Sequence, residues 1–199
     1  MKFLAALVHA TVASQVLLNN PASSYDEGRY GYTIYSGNFW GVEFRTPSLG
    51  DNGNIPGIAV ISSLTLDHFK FSVRTPKNVF TNASIRLRPG LCPSVHGSPD
   101  CNEPMASSRI SIDDSVDGVN FQWTPKFPII VTPNTTYWFW LDSTSETRDN
   151  APEWLRGDNR MGGVRLVQYK GGGVEAVESD YTPSLQVYAK RTLALQCRC

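Results

Sequence analysis

Across 199 residues, 18 Lys+Arg balance 18 Asp+Glu, and charged residues make up only 18% of the chain. A zero formal charge offers phosphate backbones and anionic lipid no electrostatic footprint, which sets nucleic-acid binding and polybasic membrane docking aside. With 41% hydrophobic and 11% aromatic residues there is enough apolar material for a core, so disorder is set aside too, and the length suits one domain.

In chain order, Met1-Lys2-Phe3-Leu4-Ala5-Ala6-Leu7-Val8 places one positive charge before a short apolar run, and Thr11 and Ala13 supply the small residues of a cleavage site. Residues 1–13 therefore read as a secretory signal peptide, which implies a secreted, extracellular protein. Residues 14–34 form an N-terminal segment, 35–190 the folded domain and 191–199 a C-terminal tail. No later apolar stretch is long enough for a membrane-spanning helix.

From residue 30 onward, apolar residues recur with period two between Gly, Pro, Asn and Asp, and no window carries a helical stripe. Strands are expected at 30–35, 40–44, 58–66, 69–73, 83–88, 108–112, 119–123, 129–131, 137–142, 164–169, 174–177 and 185–189. Asp117-Gly118 and Gly171-Gly172-Gly173 supply hairpin turns. The expected fold is all-β, an antiparallel two-sheet β-sandwich of jelly-roll or immunoglobulin-like topology.

The most distinctive stretch is Val131-Thr132-Pro133-Asn134-Thr135-Thr136-Tyr137-Trp138-Phe139-Trp140-Leu141. It resembles the signature strand of choice-of-anchor domains, which are extracellular β-sandwich modules. Residues 59–66, 83–88, 121–131 and 184–189 are similar to the other strands of that family, in order. The late hairpin departs from the pattern, with Met161-Gly162-Gly163 and the triple glycine where the family carries a Gly-Ser-Trp element. The resemblance implies a surface or matrix module and transfers no catalytic residue.

The cysteines fit an oxidising compartment. Cys92 and Cys101 enclose a loop of turn formers, and a bridge between them would stabilise by roughly 2.5 kcal/mol in the chain-entropy model. Cys197 and Cys199 have no obvious partner; either can join the Cys92/Cys101 loop or a second chain through an intermolecular disulfide. Asn82 and Asn134 each head an acceptor sequon for N-glycosylation.

Chemistry is sparse. Once residues 1–13 are removed, His68 and His96 are the remaining histidines, and neither sits in a nucleophile motif. A protein without catalytic residues is expected, the alternative being a small carboxylate-dependent enzyme whose acid pair is spatial and invisible in sequence. Asp113, Asp114 and Asp117 would supply oxygens for calcium, although their spacing departs from the twelve-residue calcium loop and a solvated acidic hairpin is the simpler reading; no other cofactor is expected.

Aromatic residues supply the binding hypothesis, because an exposed flat ring can stack on a sugar. Trp154, in the polar loop 143–159, is the first candidate. Trp138 and Trp140 come next, since period two puts them on one strand face and Tyr137, Phe139 and Leu141 on the other, and one of those faces must be core. Arg156-Gly157-Asp158 in the same loop resembles integrin-binding triplets and carries an adhesion reading. The expected partner is an extracellular glycan or protein.

Overall fold

The computed structural model describes residues 8–11, 14–22, 31–48, 58–75, 85–112, 119–149, 151–158 and 164–197. Every regular element among them is a strand: β1 (Val8–Thr11), β2 (Gln15–Asn20), β3 (Gly31–Thr33), β4 (Asn38–Arg45), β5 (Ile58–Arg74), β6 (Arg86–Val95), β7 (Ser98–Pro99) and β8 (Ala106–Ser107). They continue with β9 (Ile110–Ser111), β10 (Val119–Trp123), β11 (Ile129–Val131), β12 (Thr136–Ser143), β13 (Glu153–Leu155), β14 (Leu166–Lys170), β15 (Gly173–Val177) and β16 (Leu185–Cys197). No helix among the described residues is long and apolar enough to cross a membrane.

The strands form two antiparallel sheets packed face to face, a β-sandwich as the alternation predicts. The first sheet runs β1-β16-β5-β13-β3, with β10 and β11 on the far side of β5 and β2 on β16. The second runs β15-β14-β4-β12-β6-β7, with β8 and β9 on β6. Two hairpins depend on left-handed backbone. Gly171 and Gly172, at φ 60° and 90°, join β14 to β15, and His96 and Gly97, at 50° and 80°, join β6 to β7. Paired positive φ values match the right-handed twist of the flanking strands.

Between the sheets lies one core. Phe139 of β12 is its hub, with ring centroids 5.1 Å from Phe69, 5.5 Å from Phe71, 5.9 Å from Trp123 and 5.6 Å from Trp154. Tyr137 and Leu141 share its face and are buried with it. Full burial of each such side chain contributes about 1.5–3 kcal/mol.

Two sequence boundaries change. Residues 58–66 and 69–73, expected as separate strands, are one 17-residue strand. The register of its partner slips between Tyr188 and Ala189, and a bulge of this kind lets Leu64 and Leu66 face inward together with Phe69 and Phe71 despite the odd spacing. The folded unit is also wider than residues 35–190. β2 pairs with β16 and contributes Leu18 to the core, and β16 continues to Cys197. Val8–Thr11, inside the segment read as a leader, pairs with Thr192–Leu195.

Candidate functional site

The outward side of the second sheet carries a set of aromatic side chains beside a groove. Register assembles it in rows. Arg165 and Glu43 lie beside Trp138, which pairs with Cys92. The next row is Val167, Gly41, Trp140 and Gly90, and beyond it Val174, Tyr169 and Phe39 stand near Asp142, which pairs with Arg88. The two glycines make the floor. A Cβ on Gly41 would stand 2.9 Å from Val167 Cγ2, and one on Gly90 would stand 2.3 Å from the Trp140 indole. The Trp140 ring therefore lies across the sheet over Gly90, a position with no side chain, while Gly41 leaves room for Val167.

Two hairpins wall this floor. On one side the β6–β7 hairpin is closed by a Cys92–Cys101 disulfide with a Cα–Cα distance of 5.1 Å, the expected pairing. It covers Trp138, whose Nε1 donates to Ser94 Oγ at 3.2 Å and whose ring lies 5.4 Å from the Arg165 guanidinium. Arg165 is held in turn by Glu43, through Nε at 2.8 Å and through its own backbone N–H at 2.9 Å. On the other side the β14–β15 hairpin contributes Gly172 and Val174. The groove between them has a volume of about 420 Å³, within the roughly 300–1,000 Å³ of ligand clefts.

Inside the groove Phe39 and Tyr169 stack at 4.4 Å, with Trp140 5.4 Å from Phe39. All three rings are half-buried. Polar side-chain groups are few: the Asn102 amide, the Tyr169 hydroxyl and the Asp142 carboxylate, beside the tryptophan indoles. Asp142 is 6% exposed, pairs with Arg88 and accepts from the Ser143 N–H at 2.7 Å. Burial pushes its carboxyl above the ordinary carboxylate range, and Arg88 pulls the other way. Asp142 is the single carboxylate among the lining residues.

Of the three candidate tryptophans, the structure brings Trp138 and Trp140 together here and removes Trp154. Expected on an exposed polar loop, Trp154 is the centre of β13 between β5 and β3, fully buried, with Nε1 donating to Ser184 O at 2.7 Å. A three-residue strand among polar neighbours shows no alternation, which is why it read as loop. Trp138 is also fully buried, beneath the disulfide hairpin, so Trp140 alone of the three presents part of its ring. Phe39 and Tyr169 were missed because only strand pairing places them beside Trp140. Their alternation with core residues on β4 and β14 was the one available signal.

The Arg156-Gly157-Asp158 triplet is anchored through its backbone. Gly157 is buried, a Cβ there would meet the Asn20 amide at 2.0 Å, and its N–H donates to Thr182 O at 2.9 Å. Arg156 lies 5.0 Å from the Tyr181 ring and bridges Pro183, while the Asp158 N–H donates to Pro21 O at 2.7 Å. The triplet is thus tied to the sandwich at Gly157, with Arg156 half-buried and Asp158 exposed.

Asn134 is exposed in a tight turn at φ 53°. Asn82, Asp113, Asp114, Asp117 and Cys199 lie outside the described residues, and Cys197 ends β16 opposite Ile58. Among the described residues no group of three or more His, Cys, Asp or Glu could hold a metal ion. His68 stacks on Tyr188 at 4.2 Å and meets Asp67 Oδ2 at 2.9 Å, while His96 sits exposed at a hairpin tip.

Fold and groove together define a β-sandwich with an aromatic-lined outer face. No family model matches the chain, and no curated protein matches its sequence.

Proposed function

We propose that this is a secreted, non-catalytic extracellular binding module that holds a saccharide in the groove over Trp140. One observation carries the reading: Phe39, Tyr169 and Trp140 crowd a groove that is otherwise floored by glycine and rimmed by an amide and a carboxylate. Sugars present apolar C–H faces edged with hydroxyls, and a mostly apolar cleft with a few placed polar groups is complementary to that pattern. The leader-like pattern of residues 1–13, the disulfide and the resemblance of residues 131–141 to choice-of-anchor modules support the extracellular setting. Asn134, at its exposed turn, is an accessible position for an N-glycan.

The test is a glycan array of neutral oligosaccharides followed by calorimetry on wild type, Phe39→Ala and Tyr169→Ala. Each substitution is expected to weaken binding about tenfold or more, the size of an aromatic anchor. Absence of any bound glycan at high protein concentration, or affinity unchanged in both variants, overturns the proposal.

A further inference from the structure

The outward side of the first sheet bears a second groove of about 630 Å³, separated from the aromatic one by the whole core. It is built from amides. Strand register sets Gln122, Lys70, Gln186 and Asn19 in one row across β10, β5, β16 and β2, and Asn120 opposite Ser72 in the next. These residues alternate with the core side chains Phe69, Phe71, Trp123, Leu185 and Val187, so they share the opposite face.

Solvated sheet faces are ordinarily covered by charged residues of both signs. Here the lining holds Lys70 and no carboxylate. Two internal bonds engage one end each of Asn120 and Gln186. Asn120 Oδ1 accepts from Ser72 Oγ, and Gln186 Nε2 donates to Asn19 Oδ1 at 2.7 Å. That leaves the Asn120 Nδ2 donors, the Gln186 carbonyl, the whole Gln122 amide and the Lys70 ammonium facing the groove. Lys70 is steadied by the Tyr188 ring, 5.2 Å from its Nζ, a contact that fixes the cation without neutralising it. Several hydrogen-bonding amides around one cation match a ligand with many hydroxyls and one negative group.

We propose that this face is a second binding site, for an acidic saccharide whose carboxylate or sulfate meets Lys70 while its hydroxyls meet Gln122, Asn120 and Gln186. The site is independent of the aromatic groove and shares no residue with it. A protein with both grooves would hold a neutral and an acidic chain on opposite sides.

The experiment is calorimetric titration of the full chain with tetragalacturonate, its methyl ester and a sulfated tetrasaccharide. Measurements are made on wild type, Lys70→Gln, Gln122→Ala and the charge control Lys126→Gln, which is outside the groove lining. At least one acidic probe is expected to bind, to weaken as salt rises, and to lose about tenfold to a hundredfold in Lys70→Gln. Gln122→Ala should weaken it by a smaller factor, and Lys126→Gln should leave it unchanged; the two acidic probes separate carboxylate from sulfate recognition. Failure of both acidic probes to bind, ester binding equal to acid binding, or equal affinity in wild type and Lys70→Gln overturns the proposal. Because neutral glycans test only the aromatic groove, either site can fail without the other.

Discussion

Truncating Trp154 separates a core tryptophan from a binding platform. Its indole is fully buried, meets Phe139 edge to face at 5.6 Å and donates to the Ser184 carbonyl at 2.7 Å. In Trp154→Ala an indole-sized cavity opens beside the hub of the core, at a cost of about 3–5 kcal/mol. Trp154→Phe retains much of the ring but leaves the Ser184 carbonyl without this donor, which costs about 1–3 kcal/mol. For a chain of this length each kcal/mol shifts the midpoint by about 2–4 °C, so the alanine variant should melt about 6–20 °C below wild type. Because β13 links β3 to the tip of β5, amide exchange in residues 31–33 should rise with it. Denaturant unfolding followed by circular dichroism, with hydrogen exchange on the same samples, measures both. An alanine variant within about 1 kcal/mol of wild type that has nonetheless lost glycan binding would show the ring to be a surface platform and the burial argument to be wrong.

Three other outcomes follow from the same geometry. Gly90→Ala puts a methyl group 2.3 Å from the Trp140 ring, so it should cost about 1–3 kcal/mol and weaken saccharide binding; a neutral effect on both would mean the ring has room that the structure does not show. Replacing Cys92 and Cys101 with Ser should cost about 2.5 kcal/mol by loop-closure entropy and unroof Trp138, read as a red shift in fluorescence; an unchanged spectrum would argue against the hairpin as its cover. Two carboxylates should give opposite pH slopes. Asp142, raised by burial, contributes stability that is full below its unfolded value and is lost as pH rises through its folded one, whereas Asp67, lowered by its bond to Lys190, contributes above its unfolded value and loses this as pH falls. Asp142→Asn should remove the first slope and Lys190→Gln reduce the second, and denaturant midpoints across the acid range that stay parallel to wild type would refute the assignments.

Alternation was enough to read β11 at its observed ends and to put Tyr137, Phe139 and Leu141 on one face of β12. Period two is a local property, visible wherever a strand has one face in the core. The fusion of β5 was hidden because Asp67-His68 interrupts the parity, and only the pairing with β16 shows that the interruption is a bulge. Trp154 was misread for a related reason: its burial comes from Val73, Tyr32 and Ser184, contacts far apart in sequence. The aromatic groove was half legible. Trp140 was a candidate, while Phe39 and Tyr169 lie 101 and 29 positions from it along the chain. The amide row was illegible, since Gln and Asn residues on three strands and a Lys on a fourth acquire meaning only in register.

β12 divides its labour residue by residue. Tyr137, Phe139 and Leu141 are committed to the core, while Trp138 and Trp140 belong to the outer wall and floor of the groove. A saturation scan of this strand should therefore lose stability at the buried positions 137, 138, 139, 141 and 142 and lose ligand at the half-buried position 140. A lineage can thus change ligand without renegotiating its fold, because neighbouring codons on one strand answer to different selections.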